Sequence, residues 1–408
     1  LSSNSGFGVT FRQWGGGTAL FFSFTHLTQD LCTGLLTALL PLIKEGLGLT
    51  YLQSGILLSA YTITSGLSQI PGGWIGDRLR RNIVVAVGLG GVGLATVAVG
   101  LSPSYYPMIV ILVIMGILAG GYHPSAVSML SGYYEEARRG RVIALHMVGG
   151  SIGFTIGPLL GGLIADSLGW RFAFIILGLP AISAVPIIMK RFALVEKATS
   201  ILSSSKITEK ELSQTQKGSQ KAGIFQVLRP LATILFLCVA MQLIAGAAMS
   251  FVPLYLVDKH AIAPAYAAVL VGVLRFGGIS GSLFGGWLSD RWGRKQAVIL
   301  SLVATGPVLY LLTILPFNAG FIAVLIAFGL CRYMTQATMQ PYLMDSVPPY
   351  IRATAFGIYF GLALEGQSLI QPVAGYFMDI YGIADVFTVI AMVSGALSLL
   401  ALLLARRA

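Results

Sequence analysis

The chain has 408 residues, of which 56% are hydrophobic and only 10% charged, with a formal net charge of +11. Its mean hydropathy is +0.83. Apolar runs near the ~20 helical residues that cross a roughly 30 Å hydrocarbon core recur from end to end, so the composition excludes a soluble protein despite a length that would suit two or three soluble domains.

Twelve membrane spans are predicted, at 17–43, 52–76, 82–101, 106–132, 141–165, 171–190, 230–257, 263–288, 296–316, 320–344, 353–379 and 383–404. The first carries His26 and Asp30, four apart and hence on one helical face. A carboxylate beside an imidazole in a part-dry cavity is the kind of pair that exchanges protons at physiological pH. Proton coupling and a structural hydrogen bond between the first span and the fourth or fifth are both open for this pair. The second span ends in GGWIGDRLRR (Gly72–Arg81), and the same pattern returns 213 residues later as GGWLSDRWGR (Gly285–Arg294). Asp166 and Asp379 repeat at the same offset. A repeat of this kind in so apolar a chain predicts two homologous membrane halves and points to a transporter.

In the fourth span His123 precedes Pro124, where a bend is expected, and His123 is a candidate site residue. The fifth span holds a glycine-rich stretch, Gly149–Gly162, including Gly153, Gly157, Pro158, Gly161 and Gly162. Small residues let helices approach closely, and proline bends them. His146, near the start of that span, reads as interfacial. The stretch 193–224 turns polar and reads as a cytoplasmic linker. The expected organisation is a six-helix bundle over 1–192, a linker over 193–224 and a second bundle over 225–408.

The second half places two arginines inside spans, Arg275 in the eighth and Arg332 in the tenth. Intramembrane charge costs about 2.5–3.5 kcal/mol per residue on insertion scales, so such residues face a cavity or a partner. With Tyr333 and Gln336, two guanidiniums offer a fork suited to a carboxylate or phosphonate. Glu365, Gln367 and Gln371 in the eleventh span extend the same polar surface. An anion clamp is one reading of the arginines; internal neutralisation, with Arg332 against Glu365, is the other. Asp30, His26 and Glu365 are the proton-coupling candidates. Arg275, Arg332, His123, Tyr333, Gln336, Gln367 and Gln371 are the substrate-binding candidates, and Tyr61, Gln69 and Gln242 add polar groups on the second and seventh spans. Cys32, Cys238 and Cys331 read as core thiols without metal-like spacing.

Arg12, Arg78–Arg81, Arg138–Arg141, Lys190–Arg229, Arg291–Lys295, Arg352 and Arg406–Arg407 fall on one side of this topology, against Lys44, Arg171 and Lys259 on the other. This is the positive-inside bias, which places both termini in the cytoplasm and accounts for the basic charge without nucleic acid.

These residues resemble the major facilitator superfamily over the whole chain. Its signature between the second and third spans, Gly-x-x-x-Asp-Arg-x-Gly-Arg-Arg, is matched by Gly73, Asp77, Arg78, Arg80 and Arg81, with a departure at Leu79 and a shifted basic tail. The second copy, Gly286, Asp290, Arg291, Gly293, Arg294 and Lys295, is closer. The resemblance implies gating roles for Asp77, Arg78, Arg81, Asp290, Arg291 and Arg294, in charge contacts that break as the protein alternates its access. The Gly-Pro-x-x-Gly-Gly ending at Gly162 resembles the drug/proton antiporter branches. Thr25–Leu31 and Gly120–Ala126 are similar to segments of fosmidomycin-resistance-type exporters, although Ser125 stands where those carry an acid after His-Pro.

The expectation is therefore an all-α membrane protein with twelve transmembrane helices in two pseudo-symmetric bundles, the major facilitator fold. It would be a secondary active transporter of the inner membrane, working by proton-coupled antiport and exporting a small anionic or amphipathic organic molecule. The alternative is a proton-coupled uptake symporter for a mono- or dicarboxylate; a membrane receptor or enzyme is more remote. The sequence holds neither His-Glu-x-x-His nor a phosphate-binding Gly-x-x-x-x-Gly-Lys-Ser/Thr loop, so no enzymatic activity, cofactor or metal is expected. The expected partners are the substrate, protons and the bilayer, with no nucleic acid, and the protein is expected to be monomeric.

Overall fold

The computed structural model describes residues 16–203, 229–348, 355, 358–359 and 361–407. The side chains of Asp77, Glu365 and residues 191–203 lie outside that description, as do Arg12, Arg352 and residues 204–228. The described chain is helical, and the molecule is an all-α membrane protein of two pseudo-symmetric halves. In chain order the helices are α1 (Gly16–Ala38), α2 (Leu40–Leu47), α3 (Tyr51–Arg78), α4 (Arg81–Leu101), α5 (Tyr105–Ala119), α6 (Tyr122–Tyr133), α7 (Glu136–Leu168) and α8 (Trp170–Ser203), followed by α9 (Ala232–His260), α10 (Pro264–Trp292), α11 (Arg294–Ile314), α12 (Ala319–Ser346), α13 (Gln367–Tyr381) and α14 (Ile383–Arg407). A π-helical turn, Gly361–Glu365, leads into α13.

The differences from the predicted spans have local causes. The first span breaks at Leu39, ahead of Pro41 near the start of α2. The fourth breaks at Gly120–Gly121, one turn before His123-Pro124, so that α5 and α6 share one span. The sixth runs on as helix to Ser203, well past residue 190. Among the described residues nine helical segments are long and apolar enough to cross a membrane by length and composition alone. The helices that fall outside that set include α1 and α3, which put polar side chains into the interior instead of lipid.

The 213-residue repeat is visible in the backbone. Gly169 (φ 88°) and Gly382 (φ 84°) make equivalent left-handed turns after α7 and α13, a conformation that glycine adopts without a Cβ penalty. The repeated Asp-Arg loops differ: Gly293 has φ 102°, whereas Leu79 and Arg80 keep negative φ. The first copy keeps two residues, Leu79 and Arg80, between its helices, where the second copy has Gly293 alone.

Packing follows the same symmetry. Within the halves α3 packs on α5 as α10 does on α12, and α4 on α8 as α11 does on α14. The halves meet where α7 crosses α10 and where α3 crosses α13. Residue contacts across these seams run from Gly162 against Ala265 to Phe154 against Arg275, and from Tyr51 against Gly375 to Ser59 against Ser368. Toward the basic loops the same helices turn to partners in their own half: Gly149 and Gly153 of α7 lie on Ser23 and Leu27 of α1, and Gly281 and Gly285 of α10 on Leu330 and Met334 of α12. The interface is thus sealed on the side opposite the basic loops.

Asp379 makes part of that seal. Its two carboxylate oxygens accept the backbone N–H groups of Tyr51 (2.8 Å) and Leu52 (2.9 Å) at the start of α3, donors that a helix N-terminus leaves without intrahelical partners. Thr50 and Gln53 close a capping box on the same turn. The Tyr51 hydroxyl donates to Asp258 of α9 at 2.5 Å.

Candidate functional site

A cavity of about 350 Å³ lies between the halves. Asp30 of α1, His123 of α6, Arg275 of α10, Arg332, Tyr333 and Gln336 of α12, and Gln367 and Gln371 of α13 all line it. The seven substrate-binding candidates thus share one wall system with Asp30. His26 sits one layer behind. Tyr61 is also at the wall, whereas Gln69 is not among the lining residues and Gln242 acts through its backbone.

Each arginine is held by neutral groups. Arg275 is 5% exposed; its Nη1 donates to the Phe154 carbonyl at 2.7 Å, and its guanidinium lies 3.6 Å from the Phe154 ring centroid, a cation–π arrangement. Arg332, 7% exposed, donates from Nη2 to Gln367 Oε1 (3.0 Å) and to the Gln242 carbonyl (3.5 Å). Among the described residues neither guanidinium has a carboxylate within ion-pair distance, and the Nε of each is buried without a protein acceptor. An unsatisfied buried donor costs about 1–3 kcal/mol, more when charged, so both arginines are poised to gain from an anion.

Two of the three proton-coupling candidates, His26 and Asp30, form a second cluster with His123 and His146. His26 Nδ1 lies 2.9 Å from the His146 carbonyl oxygen, and His146 Nδ1 lies 2.9 Å from that of Phe22. A ring nitrogen facing a carbonyl carries the hydrogen, so the network assigns the tautomers. His26 Nε2 then faces Asp30 Oδ2 at 3.3 Å, and this contact needs a proton on one of the two. His123 stands edge-on to His26, with ring centroids 5.1 Å apart. His26, Asp30 and His123 bring three donor atoms within 4.8 Å of one another, the grouping among the described residues that could hold a metal. The single shared proton already completes the His26–Asp30 contact.

His146 departs from the interfacial reading. It is fully buried and stacked on His26 at 4.3 Å, because α7 enters the bundle directly alongside α1, where Ser23 Oγ also donates to the Leu145 carbonyl (2.8 Å). The side chain of Glu365 lies outside the described residues. In the second copy of the repeated loop Arg294 joins Asp290 (2.5 Å) to Asp345 (3.0 Å), and Arg291 lies over Trp287. Arg78 lies over Trp74, Arg81 opens α4, and the side chain of Asp77 is outside the description.

The sequence reading missed Phe154, Thr33, Thr37, Thr62, Met249 and Ser250 at the wall, and also three glycines that clear space for the ionisable groups. A Cβ at Gly34 would meet Arg275 Nη1, one at Gly150 would meet His26 and Asp30, and one at Gly246 would meet Gln367 and Arg332. Their spacing opposite charged residues was a usable signal only once the helices were paired.

The Major Facilitator Superfamily model matches residues 22–364. The fosmidomycin resistance protein of Escherichia coli (strain K12) is 23% identical over 90% of this chain and 88% of its own length. The cis,cis-muconate transport protein of Acinetobacter baylyi is 24% identical over 88% and 86%. Among solved structures, a bacterial homologue of the human lysosomal transporter Spinster, inward-facing and occupied, superposes with a TM-score of 0.77 at 16% identity, covering 94% of this chain and 96% of that one. With its paired halves, sealed interface and central polar cavity, the chain belongs to the Major Facilitator Superfamily and is a transporter of an organic substrate.

Proposed function

We propose that this transporter carries a small organic anion in exchange with, or together with, protons. The observation that carries the reading is the pair of buried guanidiniums facing one cavity without a carboxylate partner among the described residues. Muconate is a dicarboxylate and fosmidomycin a phosphonate, so the names of two relatives agree with an anionic ligand. Arg275 and Arg332 hold the anion, with His123, Tyr333, Gln336, Gln367 and Gln371 around it; Asp30 and His26 hold the proton, and Glu365 is the remaining candidate for it.

Export by proton antiport is the first reading, supported by the glycine seam of α7 and by the resemblance to resistance exporters. A second reading, symport, has its own observation: Asp30 and Arg275 line the same cavity. A proton on Asp30 leaves the whole Arg275 charge to the anion, so the two ligands would bind together. In either case residues 1–192 and 225–408 move about the central site, joined by the 193–224 linker, and the Asp77–Arg81 and Asp290–Arg294 loops gate it. The protein works as a monomer in the inner membrane with both termini cytoplasmic, so the conformation described here faces inward.

Proteoliposomes with an imposed pH gradient test the reading, using muconate, a phosphonate and a cationic drug as separate cargoes. Anion flux that follows the gradient, and fails in Asp30→Asn while counterflow exchange persists, is the expected result. The sign of the flux separates antiport from symport. Transport of the cation alone would overturn the anion assignment.

A further inference from the structure

Away from the central cavity, α11 and α14 enclose another hollow of about 350 Å³ at the basic end of the second half. Trp292, Lys295 and Gln296 form its mouth; Ile299, Val303 and Leu402 line its body. Lys295, Ile299 and Val303 follow one another at spacings of four and so form a single stripe on α11. From Lys295 to Val303 the helix rises about 12 Å, close to one leaflet's share of the roughly 30 Å hydrocarbon core. The mouth lies where tryptophan and lysine meet the membrane surface, and Trp292 is 61% exposed.

The charge at this mouth is uncommitted. Arg294 takes both acids at this end of the bundle, Asp290 and Asp345, and Lys295 has no carboxylate partner among the described residues. Lys295 fills the last basic position of the signature in the second copy of the repeat, and its counterpart 213 residues earlier is Asn82, which is buried and uncharged. A basic group therefore stands at the head of a leaflet-deep apolar slot in the second half, where the first half carries a neutral side chain at the equivalent position.

We infer that this hollow binds one anionic phospholipid from the leaflet on the basic side. An acyl chain fills the slot between α11 and α14, and the headgroup phosphate pairs with the Lys295 ammonium, with the Trp292 indole N–H as a second donor. A zwitterionic lipid brings its own cation to the same mouth and gains less from Lys295. A soluble phosphate lacks the chain that fills the slot.

Native mass spectrometry of the full chain in detergent, titrated with phosphatidylglycerol or phosphatidylcholine of identical chains, tests this site. The first phosphatidylglycerol should bind about fivefold more tightly than phosphatidylcholine, the worth of one basic group near an anionic headgroup. Lys295→Gln should erase that preference, while Lys259→Gln at the opposite end should keep it. Val303→Trp, which fills the slot, should weaken the first binding event for both lipids. Equal binding of the two lipids by the unaltered protein would overturn the inference. So would a preference unchanged by Lys295→Gln, or displacement of phosphatidylglycerol by an equal concentration of inorganic phosphate.

Discussion

At the scale of single residues, Arg275 decides between a clamp and a structural cation. Its guanidinium spends one N–H on the Phe154 carbonyl and its face on the Phe154 ring, leaving Nε–H buried and without a protein acceptor among the described residues. A residue present only to neutralise Asp30 would sit in ion-pair contact with it, yet Asp30 is bonded to His26 instead. Lysine at this position keeps the charge and loses the planar fork. Arg275→Lys should therefore weaken anion binding by roughly ten- to a hundredfold, the worth of one or two charge-assisted hydrogen bonds. Equilibrium binding on folded protein reads this directly, and affinity equal to that of the unaltered chain would remove Arg275 from the site.

At the scale of helices, the glycine stretch of α7 divides its work. Gly153 and Gly157 lie against the backbone of α1 at Leu27 and Leu31, whereas Gly162 lies against Ala265 of α10 in the other half. One motif thus makes a seam within a half and a seam between the halves, the second being the one that parts under the proposed alternating access. A Cβ at Gly153 has no room beside the Leu27 carbonyl, so Gly153→Val should lower stability by about 1–3 kcal/mol, the usual cost of overpacking. The same change at Gly132, where nothing lies within 4 Å of an added Cβ, should cost less through packing; equal losses in detergent unfolding curves would argue against the seam. The contrast also shows why some of the site was legible in sequence and some was not. Arg275, Arg332 and Asp30 stand out because charge at membrane depth is costly and so must serve something. Thr33, Thr62 and Ser250 do not, because each can satisfy its hydroxyl on its own helix backbone and is equally at home facing lipid or cavity. His146 was misread because distance from a helix end says nothing about which neighbour covers it.

At the scale of the whole molecule, the repeat makes the exceptions to symmetry informative. Asp379 and Asp166 occupy equivalent positions, but of the two only Asp379 caps a helix across the interface among the described residues. The residue equivalent to Tyr51 is Pro264, which has no N–H to offer, and Asp166 is exposed at the end of α7. Among the described residues Asp379 therefore latches α13 to α3 where its symmetry mate makes no equivalent contact, alongside the Tyr51–Asp258 contact on the same side. Asparagine at 379 removes the charge facing the α3 N-terminus and leaves one oxygen to serve two donors. That loss, about 1–2 kcal/mol, corresponds to a five- to thirtyfold shift toward the state open on the sealed side. A cysteine at the cavity wall, such as Thr37→Cys, reports it through its labelling rate by a membrane-impermeant thiol reagent added from that side. The rate should rise several-fold with Asp379→Asn and stay unchanged with Asp166→Asn. If both substitutions accelerate labelling alike, the seal rests on charge distributed over that face and not on the α3 latch.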